Sequence, residues 1–387
     1  MYTPYQDYIQ KLKDTKKYRK LTNFRQDKIS SFLDFSSNDY LGLSYHPEIL
    51  DASINAIQDY GWGIKASRVS AKGHPLYEHL ETQIALDKGT QAALFFSSGF
   101  QANLSVLSAL LDFQTLKVRP IVFSDRLNHA SIYQALLLSQ CRWLRYRHLD
   151  MEHLNDLLEQ EKKNLGLKFI VTESVFGMDG DKAPLEKIYE FALKYNAFVY
   201  LDEAHATGLF GPHGYGCSTL YNWERVPHVI MGTFSKALGG IGAYVACSQT
   251  IKEYLINKAQ GFIYSTASPP CVVAAALQAW NKVRMMRQER EHLITLGIKL
   301  RAILKDLGAD TGTSITHIIP VILKQEDLVL RVQQKFLEHH IYVSGIRPPT
   351  VPLGQARLRL GLCSHHTEED LHRFINVWKK IKHDKIL

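Results

Sequence analysis

Four consecutive apolar residues, Phe198 to Leu201, run without a break into Asp202, Glu203, His205 and Thr207. A short apolar run with no polar alternation reads as a strand buried on both faces, as in a parallel sheet covered by helices. The acidic residues that follow then stand at the strand's carboxyl end, the edge where open α/β sheets bind ligands. The same pattern recurs along the chain. Ala92 to Phe96 leads into SSGFQAN (Ser97 to Asn103), and Ile121 to Ser124 into DRLNHASI, which places His129 just before a helix. Lys168 to Thr172 leads into ESVFGMDGD, and Val229 to Gly232 into TFSKALGG. Strands alternating with helical stretches imply an α/β fold, a large mostly parallel sheet with helices on both faces.

The flanks read differently. Residues 1 to 36 form a helical arm that ends in an extended piece, Phe32 to Phe35. Pro47 opens a helix through Tyr60, because proline is favoured in the first turn and Ala and Ile recur at helical spacing. A long helical stretch from Cys271 to about Leu307 carries the charged segment RMMRQEREH, consistent with a solvated bridging helix. Thr316 to Leu323, Tyr342 to Gly345 and Arg357 to Leu360 read as strands separated by helices, giving a smaller C-terminal α+β domain. The expected division is an arm (1–36), a large α/β domain (37–280) and a small domain (281–387).

Composition narrows the functional classes. The 387 residues carry a net charge of +8, which favours polyanionic partners. The basic residues are not gathered into an arginine-rich or aromatic-interleaved block, so a small phosphorylated substrate such as coenzyme A is preferred over nucleic acid. No apolar run approaches the ~20 residues of a membrane span, and the N-terminus lacks the apolar core of a secretory signal. The five cysteines (Cys141, Cys217, Cys247, Cys271, Cys363) show no CxxC spacing. Neither a disulfide framework nor a metal site is indicated, and a reducing cytoplasm is the simplest home. The pairs His339-His340 and His365-His366 read as surface residues.

Two motifs carry chemistry. In TFSKALGG, Lys236 lies between small hydroxylated residues (Thr233, Ser235) and a glycine tail (Gly239, Gly240, Gly242). A lysine freed of its proton by desolvation forms a Schiff base with an aldehyde. The neighbouring hydroxyls and amides suit a phosphate, and the glycines let backbone approach a flat ring. A carboxylate at the Asp202 position holds a pyridinium nitrogen protonated and makes such a ring an electron sink; His205 would donate to the ring phenolate. Ser98 and its SSG turn open a helix, the geometry of an anion site. Plainer readings stand beside each: a surface Ser-Lys pair, an Asp that caps a helix, an ordinary strand-to-helix turn. The lysine and the aspartate, one strand-helix-strand unit apart, favour the cofactor reading together.

The chain resembles the α-oxoamine synthases, pyridoxal 5'-phosphate (PLP) enzymes of fold type I, over nearly its whole length. The motifs NDYLGL, SSGFQAN, DRLNHAS, ESVFGMDGD, LDEAHATG and TFSKALGG carry the resemblance. IYSTASPP and IRPPTVPLGQARLRL are similar to the branch that condenses L-alanine with a pimeloyl thioester, releasing CO2 and free thiol. The resemblance implies that Lys236 binds the cofactor covalently, that Asp202 pairs with the pyridinium nitrogen and that His205 bonds the phenolate oxygen. It implies further that His129 stacks on the ring and that Ser98, Gly99, Phe100 and Thr233 cradle the phosphate. Arg359, with Asn38 beside it, would hold the amino-acid carboxylate, a planar fork suiting a carboxylate better than an ammonium; a strand salt bridge is the alternative for Arg359. Arg347 and Thr350 of the RPPTVP segment would serve the acyl substrate. The family is homodimeric, and Ser265 and Thr266 would reach the partner's phosphate. Two positions depart from the usual pattern: Gly177 stands where serine is common, and Tyr77 where histidine is usual, with consequences for cofactor electronics or acyl fit. Another branch of the family, such as one joining glycine and acetyl-CoA, or a fold-type-I aminotransferase, is the rival reading.

Overall fold

The computed structural model describes residues 1–15, 18–19, 21, 32–71, 73–384 and 386. They divide into two compact units: 38–176 with 182–290, and 1–37 with 177–181 and 291–387. The division is not linear in the chain: the N-terminal stretch and the five residues 177–181 cluster with the C-terminal segment.

A two-residue strand, β1 (Leu33–Asp34), belongs to the second unit. The first unit is built on seven strands: β2 (Ala92–Phe96), β3 (Ile121–Asp125), β4 (Arg142–Tyr146), β5 (Lys168–Glu173), β6 (Phe198–Asp202), β7 (His228–Thr233) and β8 (Ala243–Cys247). They are ordered β2-β8-β7-β6-β5-β3-β4, so β6 is the central strand. Only β8 runs against the others, antiparallel to both β2 and β7. The strands expected from apolar runs are found within a residue or two of their expected ends. β4 and β8 were not anticipated. β4 alternates charged and apolar residues (Arg142, Trp143, Leu144, Arg145) because it is an edge strand, and charge on an edge deters further pairing. β8 begins at Ala243, directly after the glycine tail of the lysine motif.

The sheet's buried side chains (Leu94, Val122, Val171, Tyr200, Val229, Met231, Val245) form one core with Val106, Leu107, Ile132 and Leu136. The latter come from the helices Gly99–Leu110 and Ala130–Ser139. Burying each such aliphatic side chain contributes about 1.5–3 kcal/mol. Since six of the seven strands point the same way, the polar turns after β2, β3, β5, β6 and β7 gather at one edge of this core. The predicted helix from Cys271 to Leu307 is two helices, Pro270–Val283 and Arg287–Asp306. Met286 is buried in the break and the Arg290 guanidinium donates to the Val283 carbonyl, so the charged segment is anchored at its start rather than freely solvated.

The second unit has a three-stranded antiparallel sheet of β9 (Ile318–Lys324), β11 (Ser344–Ile346) and β12 (Ala356–Gly361), ordered β11-β12-β9. A short strand β10 (Ile341–Tyr342) pairs in parallel with β1. The helices Glu326–Glu338 and Glu368–His383 meet through stacked Phe336 and Phe374, whose rings are 4.6 Å apart. Most of the expected N-terminal arm between 16 and 31 lies outside the described residues; the helix Thr3–Asp14 precedes it.

The paired histidines divide. His339 and His340 are exposed, but His366 is 1% exposed and is not a surface residue. Its Nδ1 accepts the Cys363 N–H at 3.0 Å, so its proton sits on Nε2, 3.0 Å from the Asp34 carbonyl, and its ring stacks on Phe35. Burial, reinforced by His365, lowers its pKa to about 4. The unfolded chain therefore binds this proton first, and stability should fall as pH drops from about 6.5 to 4, by up to about 3 kcal/mol from this residue. Urea unfolding across that range should show a shallower pH slope in His366→Gln than in the wild type. Equal slopes would refute the assignment.

Candidate active site

The sheet register puts Asp202, the last residue of β6, opposite Glu173 on β5 and Met231 on β7. Asp202 is buried, and each carboxylate oxygen has a fixed donor: the Ala204 N–H to Oδ1 and the Asn103 Nδ2 to Oδ2, both at 2.8 Å. Asn103 belongs to the helix after β2 and also donates to the Ser131 hydroxyl at 2.9 Å. Ser131 in turn meets His129 Nδ1 at 2.7 Å through its hydroxyl and at 3.2 Å through its N–H. His129 is the N-cap of the helix Ala130–Ser139, as its place in DRLNHASI suggests. Its loop is tied down from behind. The Asp125 carboxylate accepts from the Leu127 N–H and pairs with His148, and the Asn128 amide donates to the Val171 carbonyl.

Lys236 lies three residues past β7 and is half-buried. Its charge reaches both His129 and Glu173. The His129 imidazole is pushed below its usual range, first by enclosure; Asp202 opposes this shift and Lys236 adds to it. Glu173 is pushed well above the usual carboxyl range, first by burial and next by the Asp202 charge, with Lys236 opposing. An amine, two carboxyls and an imidazole therefore interact electrostatically at one sheet edge, the arrangement typical of sites that tune proton transfer.

His205 is buried, and its Nδ1 meets the Tyr40 hydroxyl at 2.8 Å; that hydroxyl donates to Asn38 Oδ1 at 2.9 Å. Asn38 is thus joined to His205 through Tyr40. Ser98 caps the helix Gly99–Leu110 by accepting from the Gln101 N–H, and the Ala102 N–H bonds the Ser98 carbonyl. The N–H groups of Gly99 and Phe100 are left in the first turn without an intrahelical partner, as at any helix start. Gly99 lies against Thr233: a Cβ at 99 would stand 3.8 Å from its Oγ1. Two backbone donors at a helix start fit a phosphate; the Thr233 hydroxyl gives its hydrogen to the Gly242 carbonyl at 2.9 Å and would serve a phosphate only by releasing that bond. The Phe100 side chain does not line this cradle; it is 49% exposed and meets His129 edge-on.

The glycine tail does not do what was expected of it. At Gly239 (φ +65°) a Cβ would lie 2.4 Å from the Ser44 backbone nitrogen, and at Gly242 (φ +112°) 2.3 Å from the Phe95 ring. These glycines admit the chain's own atoms, not a flat ligand. Tyr77, the other departure from the usual pattern, is engaged by the chain's own atoms. It is buried under the Arg68 guanidinium (3.7 Å to the ring), with its hydroxyl donating to the Ser268 carbonyl at 2.5 Å.

In the second unit, Arg359 is buried on β12 and its Nε donates to the Gly177 carbonyl at 2.5 Å. Its neighbour Arg357 pairs with Asp179 at 2.6 Å. The strand salt bridge thus belongs to Arg357, and the segment containing Gly177 steers Arg359 by its backbone. Thr350 accepts from Arg19 at 2.7 Å, and Arg347 has its pKa lowered by burial and then by the Arg19 charge. Two guanidiniums whose charges reach one another, one of them bonded to the Thr350 hydroxyl, are suited to an anion. Sequence reasoning missed Arg19, Tyr40, Asn103, Ser131 and Glu173, although all but Arg19 lie inside the motifs singled out. Among the described residues no group of His, Cys, Asp and Glu is placed to hold a metal.

The model of the aminotransferase class I and II family matches residues 30–377. An 8-amino-7-oxononanoate synthase from Gluconacetobacter diazotrophicus is 44% identical over 350 residues, 90% of this chain and 87% of that protein. The chain belongs to the α-oxoamine synthases, within that aminotransferase family. A serine palmitoyltransferase solved with PLP superposes at TM-score 0.89 and 27% identity, covering 100% of this chain and 98% of that one. The 8-amino-7-oxononanoate synthase of Francisella tularensis superposes at TM-score 0.77 and 29% identity, covering 92% and 99%. This α-oxoamine synthase therefore has the fold-type-I architecture expected of it.

One further feature of the synthase supports Asp202 from the next residue. Glu203 is fully buried in an ion pair with Lys88, and both contact the Ser218 hydroxyl. Burial, the largest influence, pushes the Lys88 ammonium down, but the charge and hydrogen bond of Glu203 and the contribution of Tyr244 together outweigh it and its pKa is raised. Breaking one side leaves an uncompensated buried charge, which costs about 3–5 kcal/mol. Lys88→Met should lower unfolding free energy by about that much, and Lys88→Met/Glu203→Gln should recover most of it. A single substitution within 1 kcal/mol of wild type would contradict the buried pair.

Proposed function

We propose that this α-oxoamine synthase is an 8-amino-7-oxononanoate synthase, joining L-alanine to a pimeloyl thioester with loss of CO2 and free thiol. The observation that carries the reading is the gathering of Lys236, Asp202 and His129 at one sheet edge, in a chain 44% identical to a synthase of that name. PLP, when bound, supplies an aldehyde that captures amines and a pyridinium ring that takes up the electron pair left on the substrate α-carbon.

The chain's own residues do the rest. The first-turn N–H groups of Gly99 and Phe100, with the Thr233 hydroxyl and the Ser98 turn, hold the phosphate. Asp202, whose oxygens each retain a lone pair beyond their fixed donors, holds the ring nitrogen's proton; His205, braced by Tyr40, serves the phenolate oxygen. Lys236 would hold the cofactor through its amine and, when that amine is free, would be the base for alanine's Cα proton. His129 covers the ring face. Arg359, with its Nε held by the Gly177 carbonyl, would serve the amino-acid carboxylate by the planar fork that suits such a group, and Asn38 is assigned to the same substrate. Arg347 and Thr350, joined by Arg19, suit the distal carboxylate of a pimeloyl chain, a feature that an acetyl donor lacks.

A second copy of the chain is the proposed partner. The helix Pro47–Tyr60 leaves Leu50, Ile54 and Ile57 exposed at helical spacing, with Trp62 74% exposed just beyond. Such a stripe is unusual on a face meant for water, and Ser265 and Thr266 belong to the same proposed assembly. Cytoplasmic residence is part of the proposal, since the five cysteines are buried thiols rather than disulfides. No described helix is long and apolar enough to cross a membrane.

Incubation with alanine and pimeloyl-CoA, read by mass spectrometry, should give 8-amino-7-oxononanoate with stoichiometric CO2 and thiol, and Lys236→Ala should abolish turnover. Keto-acid formation without CO2 would mark an aminotransferase, and a preference for glycine with acetyl-CoA another branch. Sedimentation should give a dimer, twice 44.1 kDa; a monomer at micromolar concentration would remove the proposed assembly.

A further inference from the structure

Asp202 and three other buried groups, Asn103, Ser131 and Tyr200, form a single hydrogen-bonded branch that ends on the more exposed His129, and its direction is determined by chemistry. A carboxylate only accepts, so the Asn103 group 2.8 Å from Asp202 Oδ2 must be the amide nitrogen. The second amide hydrogen then goes to the Ser131 hydroxyl at 2.9 Å, and the amide oxygen faces the Tyr200 hydroxyl, which donates to it at 2.7 Å. Ser131, having accepted, gives its own hydrogen to the partner that remains, His129 Nδ1 at 2.7 Å. The Ser131 N–H points at the same nitrogen at 3.2 Å. Two donors aimed at Nδ1 leave no room for a proton there.

We propose that Asn103 is a positioning residue that aims Asp202 and, through Ser131, fixes His129 as the neutral tautomer with its proton on Nε2. Tyr200, Asn103, Asp202 and Ser131 are all buried, where an amide left to rotate would strand a donor or an acceptor at a cost. Tyr200 sets the amide's orientation from behind: it lies on β6 two residues before Asp202, and in a strand residues two apart face the same way. The depression of the His129 pKa by enclosure agrees with a neutral ring. One amide thereby links the group that serves the cofactor's ring nitrogen to the group that covers its face. His129 turns a hydrogen-bond donor, Nε2–H, away from Ser131 and has no free basic nitrogen.

The inference rests on the cofactor roles proposed for Asp202 and His129, but its first readout is a proton position and needs no turnover. Full-length protein labelled with 15N-histidine, with His129 assigned by its loss in His129→Asn, should show Nδ1 unprotonated and Nε2 protonated between pH 6.5 and 8. Ser131→Ala should yield a mixture of tautomers while PLP affinity stays within about threefold, because Asn103 still holds Asp202. Asn103→Leu should yield the mixture and also weaken PLP by about tenfold or more, the loss of one charge-assisted hydrogen bond. Tyr200→Phe, the milder change, should reproduce both effects more weakly and serves if Asn103→Leu does not fold. A proton on Nδ1 in the wild type would overturn the proposal, as would equal losses of PLP affinity in Ser131→Ala and Asn103→Leu. Correct tautomers in a protein that binds no PLP would instead remove the cofactor reading and leave the hydrogen-bond assignment standing.

Discussion

A carboxylate at the end of the central strand must be kept charged, buried and aimed, and much of the first unit is arranged around that requirement. Asp202 meets it by taking one donor on each oxygen, from the Ala204 backbone and from the Asn103 side chain. Leaving such a group without donors in the interior would cost several kcal/mol. The Asn103 donor exists because β6 lies in the middle of the sheet and the helix Gly99–Leu110 begins where β2, parallel to it, ends. Topology thus delivers residues from distant parts of the sequence to one edge. Asn103, His129, Glu173, Asp202 and Lys236 come from five separate strand-to-helix or strand-to-loop turns.

The same edge separates the tasks of otherwise similar groups. Asp202 and Glu173 are carboxyls on adjacent strands in register, yet Asp202 is given donors while Glu173 is raised by burial and by its neighbour's charge. A carboxyl raised in this way is suited to keep a proton, beside a carboxylate whose oxygens are taken by fixed donors. One residue on, Glu203 is turned away from that edge and neutralised by Lys88 in the interior. The sequence Asp-Glu thus assigns one carboxylate to the site and the other to its foundation.

Much of this was legible in the sequence because apolar runs report burial directly. The ends of β2, β3, β5, β6 and β7, and with them the places of Ser98, His129, Asp202 and Thr233, follow from where such runs stop. What escaped has physical reasons. β4 carries arginines because it is an edge; β8 is an apolar, fully buried run like the others, but it follows the lysine motif at once with no helix between, so the strand-helix alternation gives it no place. The glycines after Lys236 read as room for a ligand, whereas they admit Ser44 and Phe95. His366 reads as surface because a histidine pair on a polar stretch gives no sign of the carbonyl and ring that wait for it from Asp34 and Phe35. Asn103 and Tyr200 sit inside motifs read for other residues, and a hydrogen bond spanning 97 positions leaves no local signature.

The account stands on one covalent attachment, that of the Lys236 amine to the cofactor's aldehyde beside Asp202. Borohydride reduction of the PLP-loaded protein, followed by protease digestion and mass mapping, locates it directly. The label should fall on the peptide that contains Lys236 and on no other at one equivalent per chain. A label on a different lysine, or none above the level of a denatured control, would contradict the account.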